Sequence, residues 1–388
     1  MHRLLILGSG KIGLPSALQL ADSGDYLVHI GDIDPEKIRS ELKADNRSDI
    51  QVAKLDAKDA VALDSYISEH KIDAVISALP YHCSVPLAQV ARTSGVHYFD
   101  LTEDVEASNQ IRHISQGADK AFVPHCGLAP GFISIAAAAL MENFEKVDTV
   151  KMRVGALPLH PNNALGYSLT WSTDGLINEY GNPCYGLKNG NKVTLLPLEG
   201  LETITLDGDE YEAFNTSGGL GTLVDSYADR VRSMNYKTMR YPGHCRKIRL
   251  LMNDLKLNQD RTTLKHILEN AIPETLQDVV LIYVSVTGTR MGALFEETYV
   301  QKVYPRTING RELSAIQVAT SSGLCSVVDV VLQNEEKYHG FVTQESFPLS
   351  VILENRFGHY YRECPTAPGI LPETASEIYS CVPLENME

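Results

Sequence analysis

Leu4-Leu5-Ile6-Leu7-Gly8-Ser9-Gly10-Lys11-Ile12-Gly13 is the run that decides the fold. An apolar strand enters a G-x-G-x-x-G turn, and a helix-like segment from Leu14 to Ser23 leaves it without a gap. Gly8 permits the tight turn, Gly10 lets the backbone approach a pyrophosphate, and Gly13 lets the helix pack closely on its strand. The helix N-terminus offers amide donors and the positive end of a dipole to phosphates, with Lys11 and Ile12 in the same loop. A second apolar run, Tyr26 to Ile30, leads to Asp32, 19 residues after Gly13. A carboxylate at that strand tip accepts both adenosine ribose hydroxyls. The chain is therefore expected to bind a dinucleotide. Asp32 would repel a 2′-phosphate and no Arg directly follows it, so NAD is favoured over NADP. Asp34, just before Pro35, is expected to cap the next helix.

Outward from this unit, apolar strands at 50–56, 74–80, 97–101 and 120–124 alternate with helical patterns near 59–69 and 85–93. Short apolar strands separated by helices predict an α/β fold over residues 1–127, a doubly wound parallel sheet covered on both faces. Ligands of such sheets lie off the carboxyl ends of the strands. Asp56 and Ala78-Leu79-Pro80 are accordingly expected at the cofactor, and Asp100 to Asp104 at the substrate. From about residue 146 the pattern changes to strand-like segments at 149–154, 279–286 and 298–304, the last half-exposed, between long polar loops. This predicts a mixed sheet that holds substrate and pairs subunits. A helix over 314–332 is expected to return the chain to the first domain.

Composition narrows the function classes. A net charge of −15 over 388 residues argues against nucleic acid or an anionic membrane as partner. The longest apolar run, Phe132 to Met141, is too short to span a bilayer. Met1-His2-Arg3 feeds directly into the first strand, with no leader pattern. Seven cysteines (Cys83, Cys126, Cys184, Cys245, Cys325, Cys364, Cys381) form no C-x-x-C and are odd in number. Reduced thiols in a cytoplasmic protein are expected, with neither a metal site nor a disulfide framework.

Further runs carry a resemblance: His97-Tyr98-Phe99-Asp100-Leu101-Thr102-Glu103, Cys126-Gly127-Leu128-Ala129-Pro130-Gly131, Leu169-Thr170-Trp171-Ser172, Tyr211-Glu212-Ala213-Phe214 and Lys237-Thr238-Met239-Arg240-Tyr241-Pro242-Gly243-His244. Together with the glycine loop, from Leu4 to about Tyr361, they resemble the saccharopine dehydrogenase and lysine 6-dehydrogenase family. The resemblance implies a Rossmann domain interrupted by an α+β substrate-binding and dimerisation domain, here 128–315, and rejoined at about 316–388. It also implies a homodimer and hydride transfer between NAD(P) and a carbon bearing an amine at the ε position of lysine. In saccharopine-cleaving members the position matching Ala129 is a substrate-binding aspartate, whereas lysine 6-dehydrogenases carry the same Ala-Pro-Gly. Oxidative deamination of L-lysine to α-aminoadipate semialdehyde is thus the leading expectation. The alternative is saccharopine dehydrogenase releasing glutamate, which Thr102-Glu103 and Gly218-Gly219-Leu220 fit equally. Carboxynorspermidine dehydrogenase and a non-catalytic NAD-binding sensor stand behind these. A saccharopine site must hold three carboxylates, so cations beyond Arg240 should surround it, with Arg230, Arg232, Lys237 and Arg246 as the nearby candidates.

Oxidising a C–N bond requires a neutral amine aimed at the nicotinamide and a proton acceptor. Asp100 and Glu103, at a strand's carboxyl end, are the candidates to hold the amine, one as base if burial raises its pKa. Asp104 and Glu106 read instead as charge at a helix N-terminus. The α-carboxylate demands a guanidinium, and Arg240 matches a substrate-contacting arginine of the family. Thr102 and His244 are further polar contacts. Cys126, beside His125, is a candidate to line the site or simply a buried thiol. Trp171, the only tryptophan, is a candidate wall for the lysine stem.

Overall fold

Leucine, isoleucine and valine fill both faces of the first strands because helices cover both sides of their sheet. The computed structural model describes residues 1–45 and 47–362. β1 (His2–Leu7), β2 (Tyr26–Asp32), β3 (Gln51–Lys54), β4 (Ala74–Ser77), β5 (His97–Asp100) and β6 (Ala121–Val123) run parallel in the order β6-β5-β4-β1-β2-β3. A short strand, Gly340–Phe341, adds to the free edge of β6 in parallel. The order reverses beside β1, the switch point at which such sheets hold ligands. Between the strands lie α1 (Gly13–Asp22), α2 (Pro35–Ala44), α3 (Ala60–His70), α4 (Ser84–Ser94) and α5 (Val105–Ile114). The predicted doubly wound sheet is therefore present.

Capping explains the helix starts. Asp59 accepts from the Ala62 amide at the head of α3, and Asp104 from the Ala107 amide at the head of α5. Asp34 departs from expectation, since it makes no side-chain cap. Pro35 opens α2, and proline has no N–H to satisfy there. The Asp34 amide instead donates to Asp32 Oδ1 at 3.0 Å.

α6 (Phe132–Glu142) leads into a second sheet of β7 (Lys146–Pro158), β8 (Cys184–Lys188), β9 (Asn191–Leu195), β10 (Glu202–Leu206), β11 (Asp209–Asn215), β12 (Val231–Arg240), β13 (Asp278–Arg290) and β14 (Ala293–Val303). Its main path is β10-β11-β12-β7-β13-β14, with β8 on β12 and β9 on β8. Only the β12–β7 pair is parallel, so this is the expected mixed sheet. The segments expected at 149–154 and 279–286 are the centres of two 13-residue strands, β7 and β13. β14 is half-exposed, with Leu294, Phe295 and Val300 open to solvent. α7 (Thr173–Gly181) lies between β7 and β8 and starts on Ser172, whose hydroxyl accepts from the Gly175 amide.

The helix Ala315–Leu332 begins with a capping box, Ser314 with Gln317. Among the described residues it is the one helix long and apolar enough to cross a membrane, yet it is almost wholly buried. It packs on α1, where Gln19 Nε2 donates to Ser321 Oγ at 2.6 Å. The Tyr26 hydroxyl donates to Asp329 at 2.6 Å, so the helix is tied to the first sheet, while Asp278 of β13 accepts from the amides of its first turn. Five cysteines are free and buried. Cys364, Cys381 and the remainder of 363–388 lie outside the described residues.

Candidate active site

The glycine loop divides into positions that shape the backbone and one that leaves room. Gly8 has φ +95°, and a Cβ there would stand 2.7 Å from the Ala78 carbonyl oxygen. A Cβ on Gly13 would stand 1.9 Å from the Gly8 oxygen. At Gly10 a Cβ would meet nothing within 4 Å, so the loop faces open space there. α1 begins at Gly13 without a side-chain cap; the Leu14 amide reaches the Gly10 carbonyl at 3.4 Å and Pro15 has no N–H, so the loop amides before Leu14 are the ones an external acceptor would use. Asp32 Oδ2 accepts from the Ser9 amide at 2.9 Å and the Ser9 hydroxyl at 2.6 Å. Partial burial works against its charge, but the bonds from Asp34 and Ser9 hold the carboxyl below its ordinary range. An open cradle with an ionised acid at the adjacent strand tip fits a dinucleotide. Asp56 lies exposed just past β3, its Oδ1 accepting from the Lys58 amide.

A cavity of about 590 Å³ opens between this loop and the second sheet. Lys11, Ile12, Ala78, Leu79 and Pro80 line it on the dinucleotide side, and Trp171, Glu179, Tyr236, Thr238 and Arg240 on the other. Glu103, Gly127, Leu128, Ala129 and Pro130 lie between them. Lys11 bridges the two sides, its Nζ donating to the Leu169 carbonyl at 2.9 Å and pairing with Glu274 at 2.9 Å.

Arg240, at the end of β12, is only 3% exposed. Its Nε donates to Tyr180 Oη at 2.9 Å and its Nη1 to the Met239 carbonyl at 2.9 Å. Nη2 stands 3.7 Å from Glu179 Oε2. Burial opposes the charge, but Tyr180, Tyr167 and Glu179 more than offset it, so the guanidinium stays ionised. Burial pushes the Glu103 carboxyl up to about 7. Glu179, on α7, is likewise raised to about 7 by burial and by the Glu103 charge, with Arg240 opposing. Its Oε2 is buried without a hydrogen bond.

Several expected contacts lie outside the cavity. Asp100 points into the protein rather than the cleft, accepting from the Tyr98 hydroxyl at 2.9 Å, the Thr102 amide at 3.0 Å and the His125 amide at 3.1 Å. It braces the ends of β5 and β6, and burial raises its pKa. The Thr102 hydroxyl, also buried, accepts from the Asp104 amide at 3.2 Å. The Cys126 thiol donates to the Val123 carbonyl at 3.1 Å, and burial pushes its pKa up. His244 is buried behind Arg240, and burial with the Arg240 charge depresses it to about 3. Trp171 does line the cavity, its Nε1 donating to Tyr167 Oη at 3.0 Å.

The additional cations do not reach the cavity. Arg232 pairs with Asp148 on the surface, Lys237 with Glu202 at 2.6 Å, Arg230 stacks over Tyr227, and Arg246 is exposed. Among the described lining residues the cations are Lys11 and Arg240, against Glu103, Asp174, Glu179, Glu269 and Glu274. Glu179 and Tyr236, which line the cavity, and Tyr180, which holds Arg240 from within the protein, escaped sequence reasoning, because no local pattern marks the direction of a side chain on α7 or mid-β12.

Comparison with known proteins accounts for both halves. Residues 4–123 match the family described as "Saccharopine dehydrogenase NADP binding domain", and residues 127–356 match "Saccharopine dehydrogenase C-terminal domain". A relative from Pyricularia oryzae, "Saccharopine dehydrogenase [NADP(+), L-glutamate-forming]", is 28% identical over 198 residues, 49% of this chain and 42% of its own. An Arabidopsis thaliana "Alpha-aminoadipic semialdehyde synthase" is 25% identical over 212 residues, 48% of this chain and 20% of its own. The chain thus spans less than half the length of these curated relatives. The structure of apo saccharopine dehydrogenase (L-Glu forming) from Saccharomyces cerevisiae shares the fold, with TM-score 0.74 and 16% identity, covering 91% of this chain and 96% of that one. With both of its halves matched, the chain belongs to the saccharopine dehydrogenase family.

Proposed function

We propose that the cavity oxidises the bond between the ε-carbon of a lysine-type amino acid and its nitrogen, using a nicotinamide dinucleotide. One observation carries this reading: a buried, ionised Arg240 and a carboxyl of raised pKa, Glu103, face a single cavity that opens on the glycine loop. Gly10, the start of α1 and Asp32 would hold the dinucleotide, which supplies the hydride acceptor. Arg240 binds the α-carboxylate, because it lines the cavity and its Nε and Nη1 are held by protein while Nη2 makes no hydrogen bond within it. Trp171 covers the aliphatic stem. Glu103 takes the proton of the ammonium, a role for which a pKa of about 7 suits neutral pH.

The names of the fungal relatives favour saccharopine as substrate, with glutamate released, over lysine. The lining charges favour lysine, since two cations among five acids make a poor match for three carboxylates. The relatives' names favour NADP, whereas the ionised Asp32 favours NAD. One assay separates these readings: absorbance of the reduced nicotinamide with L-saccharopine or L-lysine, each with NAD and with NADP. Glutamate release from saccharopine selects the first substrate and ammonia release from lysine the second. No turnover of either, with dinucleotide bound, overturns the proposal.

A further inference from the structure

The two charges at the back of the cavity are arranged unlike an ordinary buried ion pair. An arginine and a glutamate that serve each other normally meet through two short N–H···O bonds. Here the approach of Arg240 Nη2 to Glu179 Oε2 is 3.7 Å, beyond hydrogen-bond reach. Arg240 is already oriented by Tyr180 and Met239, so it does not need the acid for its position. Glu179 is only 9% exposed, and its Oε2 has no hydrogen bond at all. Leaving a buried carboxylate oxygen unsatisfied is costly, and native interiors rarely do so without a use.

The position of Glu179 is nevertheless fixed. Ser172 caps α7, and the Glu179 carbonyl accepts from the Ser217 amide at 2.9 Å. A Cβ on Gly175 would stand 2.4 Å from Trp171 Cζ3, so the tryptophan wall rests directly on this helix. A guanidinium and a carboxyl are thus held side by side in one cavity, with hydrogen-bonding capacity left over on each. An α-amino acid carries the complementary pair, a carboxylate and an ammonium on one carbon.

We infer that Arg240 and Glu179 form a clamp for the zwitterionic end of the substrate, the guanidinium taking the α-carboxylate and Glu179 the α-ammonium. This rests on reading the cavity as an ε C–N site. Glu103 is then left free for the distant nitrogen. The clamp selects amino acids over ω-amino acids and simple diamines of the same length.

Trp171 is the sole tryptophan and lines the cavity, so its fluorescence reports binding in the full chain. The probes are L-lysine against 6-aminohexanoate, and L-saccharopine against N-(5-carboxypentyl)-L-glutamate, each analogue lacking only the α-ammonium. The protein should bind at least one amino acid about tenfold or more tighter than its analogue, because a polar site rejects a ligand that leaves it unpaired. Glu179→Gln should remove most of that ratio by weakening the amino acid, with dinucleotide affinity unchanged. Equal binding of amino acid and analogue by the unmodified protein overturns the clamp alone, and that comparison needs no variant. Equal weakening of both ligands by Glu179→Gln also overturns it. Dinucleotide binding with no amino acid bound overturns the clamp together with the proposed function.

Discussion

Tyr180 holds Arg240 through a hydrogen bond whose direction His244 determines. His244 Nδ1 lies 2.9 Å from the Leu165 carbonyl, which can only accept, so Nδ1 carries the proton. Nε2 then accepts from the Tyr180 hydroxyl at 3.0 Å, and the Tyr180 oxygen accepts from Arg240 Nε at 2.9 Å. A depressed histidine pKa, about 3, keeps this relay in one proton arrangement across the neutral range. His244 therefore acts behind the site, by fixing a guanidinium it does not touch.

Removing the middle of that relay should weaken substrate binding more than chemistry. Tyr180→Phe leaves Arg240 Nε and His244 Nε2 buried without partners, a loss of about 1–3 kcal/mol. The expected result is a KM raised roughly tenfold with kcat within about threefold, since each ~1.4 kcal/mol is tenfold. An unchanged KM would release Tyr180 from this positioning role.

Glu103 gives a pH signature in activity and in stability. As the proton acceptor it must be ionised, so kcat/KM should climb as pH rises to about 7 and then level, and Glu103→Gln should lower the plateau and leave only the shallower limb that Glu179, also raised to about 7, contributes. Its folded pKa lies above the ordinary value of 4.5. The native state therefore holds the proton more tightly than the unfolded chain, and the associated stability is present below pH 4.5 and lost as pH rises through about 7. Glu103→Gln should consequently melt higher than the parent at mildly alkaline pH and alike in acid. A melting difference of the opposite sign would mean that burial does not dominate at this carboxyl.

The loop glycines should separate folding from binding. Gly13→Ala places a methyl 1.9 Å from the Gly8 oxygen and should lower the melting temperature as well as dinucleotide affinity. Gly10→Ala meets no protein atom within 4 Å, so its melting temperature should hold while dinucleotide binding falls, measured by calorimetric titration. If Gly10→Ala binds normally, the pyrophosphate does not pass over that position.

Asp32→Ser tests cofactor choice. Without the carboxylate, the NAD-to-NADP preference should move toward NADP by about tenfold or more, through loss of ribose bonding and of repulsion. A ratio left in place would show that groups other than Asp32 read the adenosine ribose.

Features encoded by backbone geometry were legible in the sequence, and those encoded by packing were not. Gly8 and Gly13 read correctly because a turn and a helix–strand contact each admit only a hydrogen at a known spacing. The segments at 149–154 and 279–286 are shorter than the strands because outer residues such as Lys146 and Thr287 fall outside the apolar run although the ladder continues. Asp100 and Glu103 sat equally well at the end of β5, yet the first turns inward to three donors and the second to the cleft. Strand position alone carries no side-chain direction. The cationic cluster from Arg230 to Arg246 was near in sequence, but only Arg240 ends on the cavity side.

The strand Gly340–Phe341 and the helix Ala315–Leu332 close a sheet whose other strands end at Val123. During synthesis that sheet must wait for its last pieces while more than 200 further residues are made. At roughly 5–20 residues per second the interval is on the order of ten seconds or more. Through that time α1 and the edge of β6 lie uncovered, and the intervening sheet can complete its own pairing first. The first sheet is thus completed after the second, and the dinucleotide loop acquires the Gln317 bond to its Lys11 carbonyl only once the intervening sheet has been made.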